Sequence, residues 1–140
     1  MTSARRLVFL GRTGEEPSGE PLLHEGRPLS PGDALPLARK RSPWNAHRGV
    51  ERVIVGSHPA RADVLLEGVG IRPEHVRLYF PLSGPGPADL LPIEGAETRV
   101  LGRAAGPRDW TGLEGGEELA LGPWRFRYEN DPDTKTETEA

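Results

Sequence analysis

"WRFRYE" spans 124–129 and alternates without a break, with Trp124, Phe126 and Tyr128 on one side and Arg125 and Arg127 on the other. A period of two belongs to a strand with one buried face. "HVRLYF" (75–80) repeats the pattern, setting Val76, Leu78 and Phe80 against Arg77 and Tyr79. In "ERVIVG" (51–56), Val53 and Val55 oppose Ile54. "RRLVFLG" (5–11), "ADVLL" (62–66), "DLLPI" (89–93), "TRVLG" (98–102) and "EELALG" (117–122) are further short apolar runs bounded by Gly and Pro. "ALPLAR" (34–39) predicts a strand that Pro36, lacking an N–H, confines to a sheet edge. Short strands about ten residues apart, with turn signals between, predict a β-sandwich or barrel. No segment sustains a helical period.

Between these runs the pattern fades. Residues 12–33 are rich in Gly, Pro, Glu and Ser and predict a long connection. Residues 40–49 predict a second one, in which Trp44 is expected to cover the core. Residues 129–140 are acidic and hold no large apolar side chain, so a disordered tail is expected there. The organisation this implies is one domain over 1–128, with a loop-rich insertion at 12–50, followed by the tail.

Composition supports this reading. Glycine and proline number 18 and 15 among 140 residues, roughly twice their usual combined share. Cysteine is absent, which excludes disulfides, thiolate metal sites and thiol nucleophiles and fits a reducing compartment. No run approaches the roughly 20 apolar residues of a membrane span, and Leu7 to Leu10 is too short for a signal-peptide core. A soluble, cytoplasmic chain is expected. The net charge is −3, and the one tight basic cluster is Arg39-Lys40-Arg41. With Trp44 nearby, that cluster leaves open a nucleic-acid-binding barrel, although a nucleic-acid footprint ordinarily needs more clustered charge.

Catalytic chemistry finds little support. His24, His47, His58 and His75 form no short paired spacing, and "HEG" (24–26) stops short of the His-Glu-x-x-His metal motif. Ser57 and His58 are adjacent, so in extended chain they point to opposite faces. No nucleophile elbow and no phosphate-cradling glycine loop occurs, and no cofactor is implied. Glu114, Glu117 and Glu118 sit in a Gly-rich turn and read as solvated charges. A non-enzymatic chain is expected, with a small hydrolase as the remaining catalytic alternative.

Four pieces read together say more: "VIVGSHPARADVLLEG" (53–68), "GIRPEHVRLYF" (70–80), "ETRVLGR" (97–103) and "GLEGGEELALGPWRFRY" (112–128). In this order and spacing the set resembles the forkhead-associated (FHA) domain, an all-β sandwich of about eleven strands that binds phosphothreonine peptides. Gly56, Asp63, Leu65, His75, Thr98, Val100, Gly102, Leu119, Leu121, Gly122 and Phe126 fall where that pattern wants them. The resemblance implies a framework role for Gly56, His75, Gly102 and Gly122, and a partner that is another protein, phosphorylated in the family's ordinary use.

The departures lie at the ligand positions. The family's phosphate-contacting arginine follows the strand-ending glycine, where this chain has Ser57. The family's serine three residues before the histidine is Arg72, and its peptide-holding asparagine is Ala96. A phosphate dianion needs a positioned cation and several donors. Arg72 and Arg61 are the cations available in these loops to rebuild such a site, and Thr98 and Arg103 complete the candidate ligand-loop positions. The expectation is an interaction module without ordinary phosphothreonine recognition; its alternative is a relocated phosphate site on Arg72 and Arg61.

Overall fold

Alternation sorts the side chains between a shared core and two outer faces. The computed structural model describes residues 4–12, 20–41, 49–81, 87–93, 95–101, 103–106 and 110–131. Among these residues the chain forms thirteen strands and no helix. They are β1 (Ala4–Arg12), β2 (Leu23–His24), β3 (Arg27–Pro28), β4 (Ala34–Pro36), β5 (Val50–Gly56), β6 (Val64–Glu67), β7 (Val76–Pro81), β8 (Ala88–Pro92), β9 (Thr98–Val100), β10 (Arg103–Ala104), β11 (Thr111–Leu113), β12 (Glu118–Leu121) and β13 (Trp124–Asp131). One sheet has the order β10-β9-β12-β13-β1-β4, and the other β11-β8-β7-β5-β6-β2-β3. All pairs are antiparallel except β5–β6, which is parallel. Two facing sheets make this a sandwich, which sets aside the barrel alternative.

The core lies between the sheets. Leu7, Phe9, Leu119, Leu121, Phe126 and Tyr128 meet Val53, Val55, Val76, Leu78 and Leu90 there. Each such side chain, fully buried, contributes about 1.5–3 kcal/mol before the entropy of ordering the chain is set against it. Phe9 and Phe126 are cross-strand partners with rings 5.6 Å apart, a favourable tilted aromatic contact. At one end of the sandwich Arg5 joins the sheets. It is buried, donates to the Tyr128 hydroxyl at 2.6 Å and to the Pro81 carbonyl at 3.2 Å, and lies 4.7 Å from the centre of the Phe80 ring.

The expected connection at 12–33 contains more order than its composition suggested. β2 and β3 form a hairpin that extends the seven-stranded sheet beyond β6. Glu25 and Gly26 at its turn both have positive φ (53° and 83°), the two-residue turn that matches strand twist. Leu22, Leu35 and Leu37 enter the core. β4 takes an edge position, where Pro36 costs no ladder bond. β10 and β11 are short edge strands that the sequence pattern did not reveal. β13 runs on through Asp131, because Glu129 and Asn130 pair with Arg6 and Arg5. Trp44 and the rest of the acidic segment, 132–140, lie outside the described residues. Among the described residues no helix is long and apolar enough to cross a membrane.

Tyr128→Phe removes a partner from a buried guanidinium without opening a cavity. It is expected to cost about 1–3 kcal/mol, seen in urea unfolding as a lower midpoint with an unchanged m-value.

Candidate functional site

At the other end of the sandwich three loops meet: 57–63 after β5, 68–75 before β7, and 93–97 before β9. The first two are joined through their main chains. Ser57 N–H donates to the Arg72 carbonyl at 2.9 Å, and His58 N–H to that of Pro73 at 3.1 Å. Gly56 permits this approach, because a Cβ there would lie 2.1 Å from the Pro73 oxygen.

His75 ties the third loop in. It is fully buried. Arg72 N–H donates to its Nδ1 at 3.2 Å, so the proton sits on Nε2, which donates to the Glu97 carbonyl at 2.7 Å. Its own N–H donates to Val55, and its carbonyl accepts from Ile93. The Glu97 carbonyl also accepts from Gly122 N–H at 2.9 Å, at the β12–β13 turn of the opposite sheet. Burial, chiefly, holds the imidazole below its ordinary value; the Glu97 hydrogen bond opposes this and the Arg72 charge adds to it. His75 is thus a neutral brace rather than a proton carrier.

The candidate ligand positions divide. Ser57 is half-buried beside Arg72. Arg72 is exposed, and its Nε donates to the Gly95 carbonyl at 3.1 Å, so its guanidinium bridges two loops. Arg61 is exposed but 3.4 Å from the carboxylate of Glu74, which also holds Arg77. Ala96 and Thr98 are buried, and the Thr98 hydroxyl donates to the Ala96 carbonyl at 3.3 Å. Arg103 lies opposite Val100 in β10. Gly102 lies outside the described residues. Ser57 and Arg72 are therefore brought together by the backbone, whereas Arg61 is drawn off to Glu74.

Sequence reading missed the roles of Glu74, of the Pro73, Gly95 and Glu97 carbonyls, and of Asp63. The buried Asp63 carboxylate accepts from the N–H groups of Lys40, Arg41 and Ile54 at 2.7–2.9 Å. A short acidic residue matching the family pattern beside an apolar run was the available signal. The basic cluster is engaged internally: Arg39 pairs with Glu51, and Lys40 and Arg41 pair with Glu25. His58 Nδ1 accepts from Ala60 N–H, which makes it a turn residue. Glu117 likewise accepts from Glu114 N–H within its turn. Among the described residues no group of three His, Asp or Glu is placed to hold a metal ion.

Gly56→Ala is expected to push the 68–75 loop away and cost about 1–3 kcal/mol or more by overpacking, read by urea unfolding. His75 supplies a pH dependence. Its ordinary value is 6.5 and its folded value lies below that. Between the two, the unfolded chain binds a proton that the folded chain does not. Stability is therefore full above about pH 6.5 and declines as the pH falls, by at most about 1.4 kcal/mol per pH unit from this group. His24, also lowered by burial, adds to the decline. Urea midpoints measured across this range in wild type and His75→Gln are expected to show a shallower decline in the variant.

No protein-family model and no curated protein matches the sequence. Solved structures do match. The FHA domain of the CT664 protein from Chlamydia trachomatis superposes with a TM-score of 0.58 at 18% identity, covering 90% of this chain and 96% of that one. The cytoplasmic domain of the T3SS sorting platform protein PscD from P. aeruginosa gives 0.56 at 24% identity, covering 93% and 82%. The MEK1 FHA domain, in complex with a phosphothreonine peptide of HOP1, gives 0.53 at 12% identity, covering 78% and 93%. With its two sheets and its braced loop end, this chain has the fold of a forkhead-associated domain.

Proposed function

We propose that the chain is a non-catalytic protein–protein interaction module whose loop end docks another protein without ordinary phosphothreonine recognition. The observation that carries this is the disposition of the loop cations. Arg61 faces the Glu74 carboxylate, and Arg72 donates to the Gly95 carbonyl. Ser57, where the family places its phosphate-contacting arginine, brings only a hydroxyl. A phosphate dianion is held by charge-assisted bonds from a positioned guanidinium and several further donors. The framework that presents the loops is nevertheless intact, which supports a retained docking surface. The similar structures support docking of another polypeptide: one is bound to a phosphothreonine peptide, and one is named as part of a sorting platform. The cysteine-free sequence supports a cytoplasmic setting.

One observation favours a second reading. The exposed Arg72 guanidinium spans the 68–75 and 93–97 loops, and with Arg61 it forms the basis of a relocated phosphate site. Titrating a panel of phosphothreonine peptides separates the two. The expected outcome is no saturable binding at micromolar concentration, with or without the phosphate. Binding that disappears on dephosphorylation and on Arg72→Ala would overturn the first reading and establish the second.

A further inference from the structure

The two sheets each end in an edge strand on the side of β10 and β11. Between these edges lies a cleft of about 300 Å³, walled by Val100, Leu101, Ala104 and Ala105 on the β10 side and by Thr111 and Gly112 on the β11 side. Leu101 forms its lip. It is 56% exposed and has a φ of 53°. Glycine or asparagine would hold that conformation at lower cost. What leucine adds is an apolar side chain at the mouth of the cleft.

An unpaired sheet edge invites another strand, and proteins blunt it with proline, charge or shortness. At the far side of the sandwich both edges are blunted: β3 holds Pro28 and β4 holds Pro36. β10 is two residues long and begins with an arginine. β11 reads Thr111-Gly112-Leu113, with no proline and no charge. It pairs with β8 on one side, and no described strand pairs with it on the other. It is also fixed in place. Leu113 is fully buried, and Trp110, just ahead of the strand, rests on Tyr79 with ring centres 5.0 Å apart. Gly112 lies open, since a Cβ there would meet nothing within 4 Å. An edge that is held, unblunted and flanked by a cleft suits addition of a strand. The added main chain bonds to the edge, and its alternate side chains enter the cleft.

Charge indicates the partner. Asp89 is exposed and stands opposite Gly112 in the register. Because Gly112 has no side chain, a lysine or arginine of an added strand reaches over it to Asp89, two strand spacings or about 10 Å away. Glu117 lines the cleft, and Glu114 begins the turn after β11. Asp89, Glu114 and Glu117 form no ion pair with a described cation. Counted over the sequence, residues 101–117 bring Arg103 and Arg108 against Asp109, Glu114 and Glu117, and Asp89 adds a fourth carboxylate. The edge therefore carries an excess of negative charge even with both arginines included. We propose that β11 takes up an extended, basic segment of a partner protein as an added strand, one that seats an aliphatic side chain in the cleft and sets lysine or arginine against Asp89 and Glu117.

The test is selection of a displayed random 12-residue peptide library on the full chain, followed by calorimetry with the enriched peptides. Peptides that alternate Lys or Arg with aliphatic residues are expected. Their affinity should fall at least tenfold in Asp89→Lys and in Ala104→Phe, which fills the cleft, and stay unchanged in Arg72→Ala at the loop end. Asp89 and Ala104 are both exposed, so circular dichroism of these variants should match wild type. An added strand bonds to its neighbour through every second N–H. N-methylation of one alternating set of peptide residues should therefore abolish binding, and of the other set reduce it far less. No enrichment, enrichment of neutral or acidic peptides, indifference to either variant, or an equal response to the two N-methylated sets overturns the inference. Peptides that depend on Arg72 and not on Asp89 would also overturn it, while leaving the loop-end function standing.

Discussion

His75 is buried, and its four polar groups are all satisfied by main chain. Val55 and Ile93 take its backbone groups, Arg72 N–H reaches Nδ1, and Nε2 reaches the Glu97 carbonyl. The brace works only for the neutral ring in one tautomer, since a protonated Nδ1 would confront a second N–H. A buried polar group left unsatisfied costs about 1–3 kcal/mol, so loosening any one of these loops exposes a penalty in the others. The Glu97 carbonyl, by also accepting from Gly122, carries the same constraint across to the opposite sheet. The loop end is thus tied to both layers of the sandwich through one ring and one carbonyl.

Asp63 plays a comparable part where residues 40 and 41 meet the connection between β5 and β6. Its carboxylate gathers three backbone N–H groups. Arg41, running beside it, donates to Glu25 and to the Ala62 carbonyl. The β2–β3 hairpin and β4, which join different sheets, are fastened here to β5 and β6. A stretch that looks like loose insertion in composition is therefore woven into both sheets.

Strands with one buried face were legible because alternation is a physical record of burial: β5, β7 and β13 follow "ERVIVG", "HVRLYF" and "WRFRYE" closely. Two-residue strands cannot show a period of two, which is why β2, β3 and β10 were invisible. "HEG" resembled a truncated metal motif, yet its Glu and Gly form the hairpin turn. Gly56 and His75 fall on the family pattern, and both lie where the loops meet. Glu74 was not, because its pairing with Arg61 and Arg77 depends on a loop and a strand meeting in space. The same holds for Trp110, whose contact with Tyr79 requires β8 to lie between β11 and β7.

The loop end separates holding from binding. Its internal contacts run through the Ser57 N–H, the Arg72 N–H and carbonyl, and the Pro73 and Glu97 carbonyls. None of these depends on which side chain stands at 57, 72 or 97. Residue identity is demanded only where space or burial demands it: at Gly56, against the Pro73 oxygen, and at His75 itself. Apart from the Arg72 Nε bond to the Gly95 carbonyl, the side chains at 57 and 72 enter none of these contacts. That is the physical reason a chain can share this fold with proteins at 12–24% identity while carrying Ser57, Arg72 and Ala96 at these loop positions. The fold sets where these loops stand, and their exposed side chains are left to vary within it.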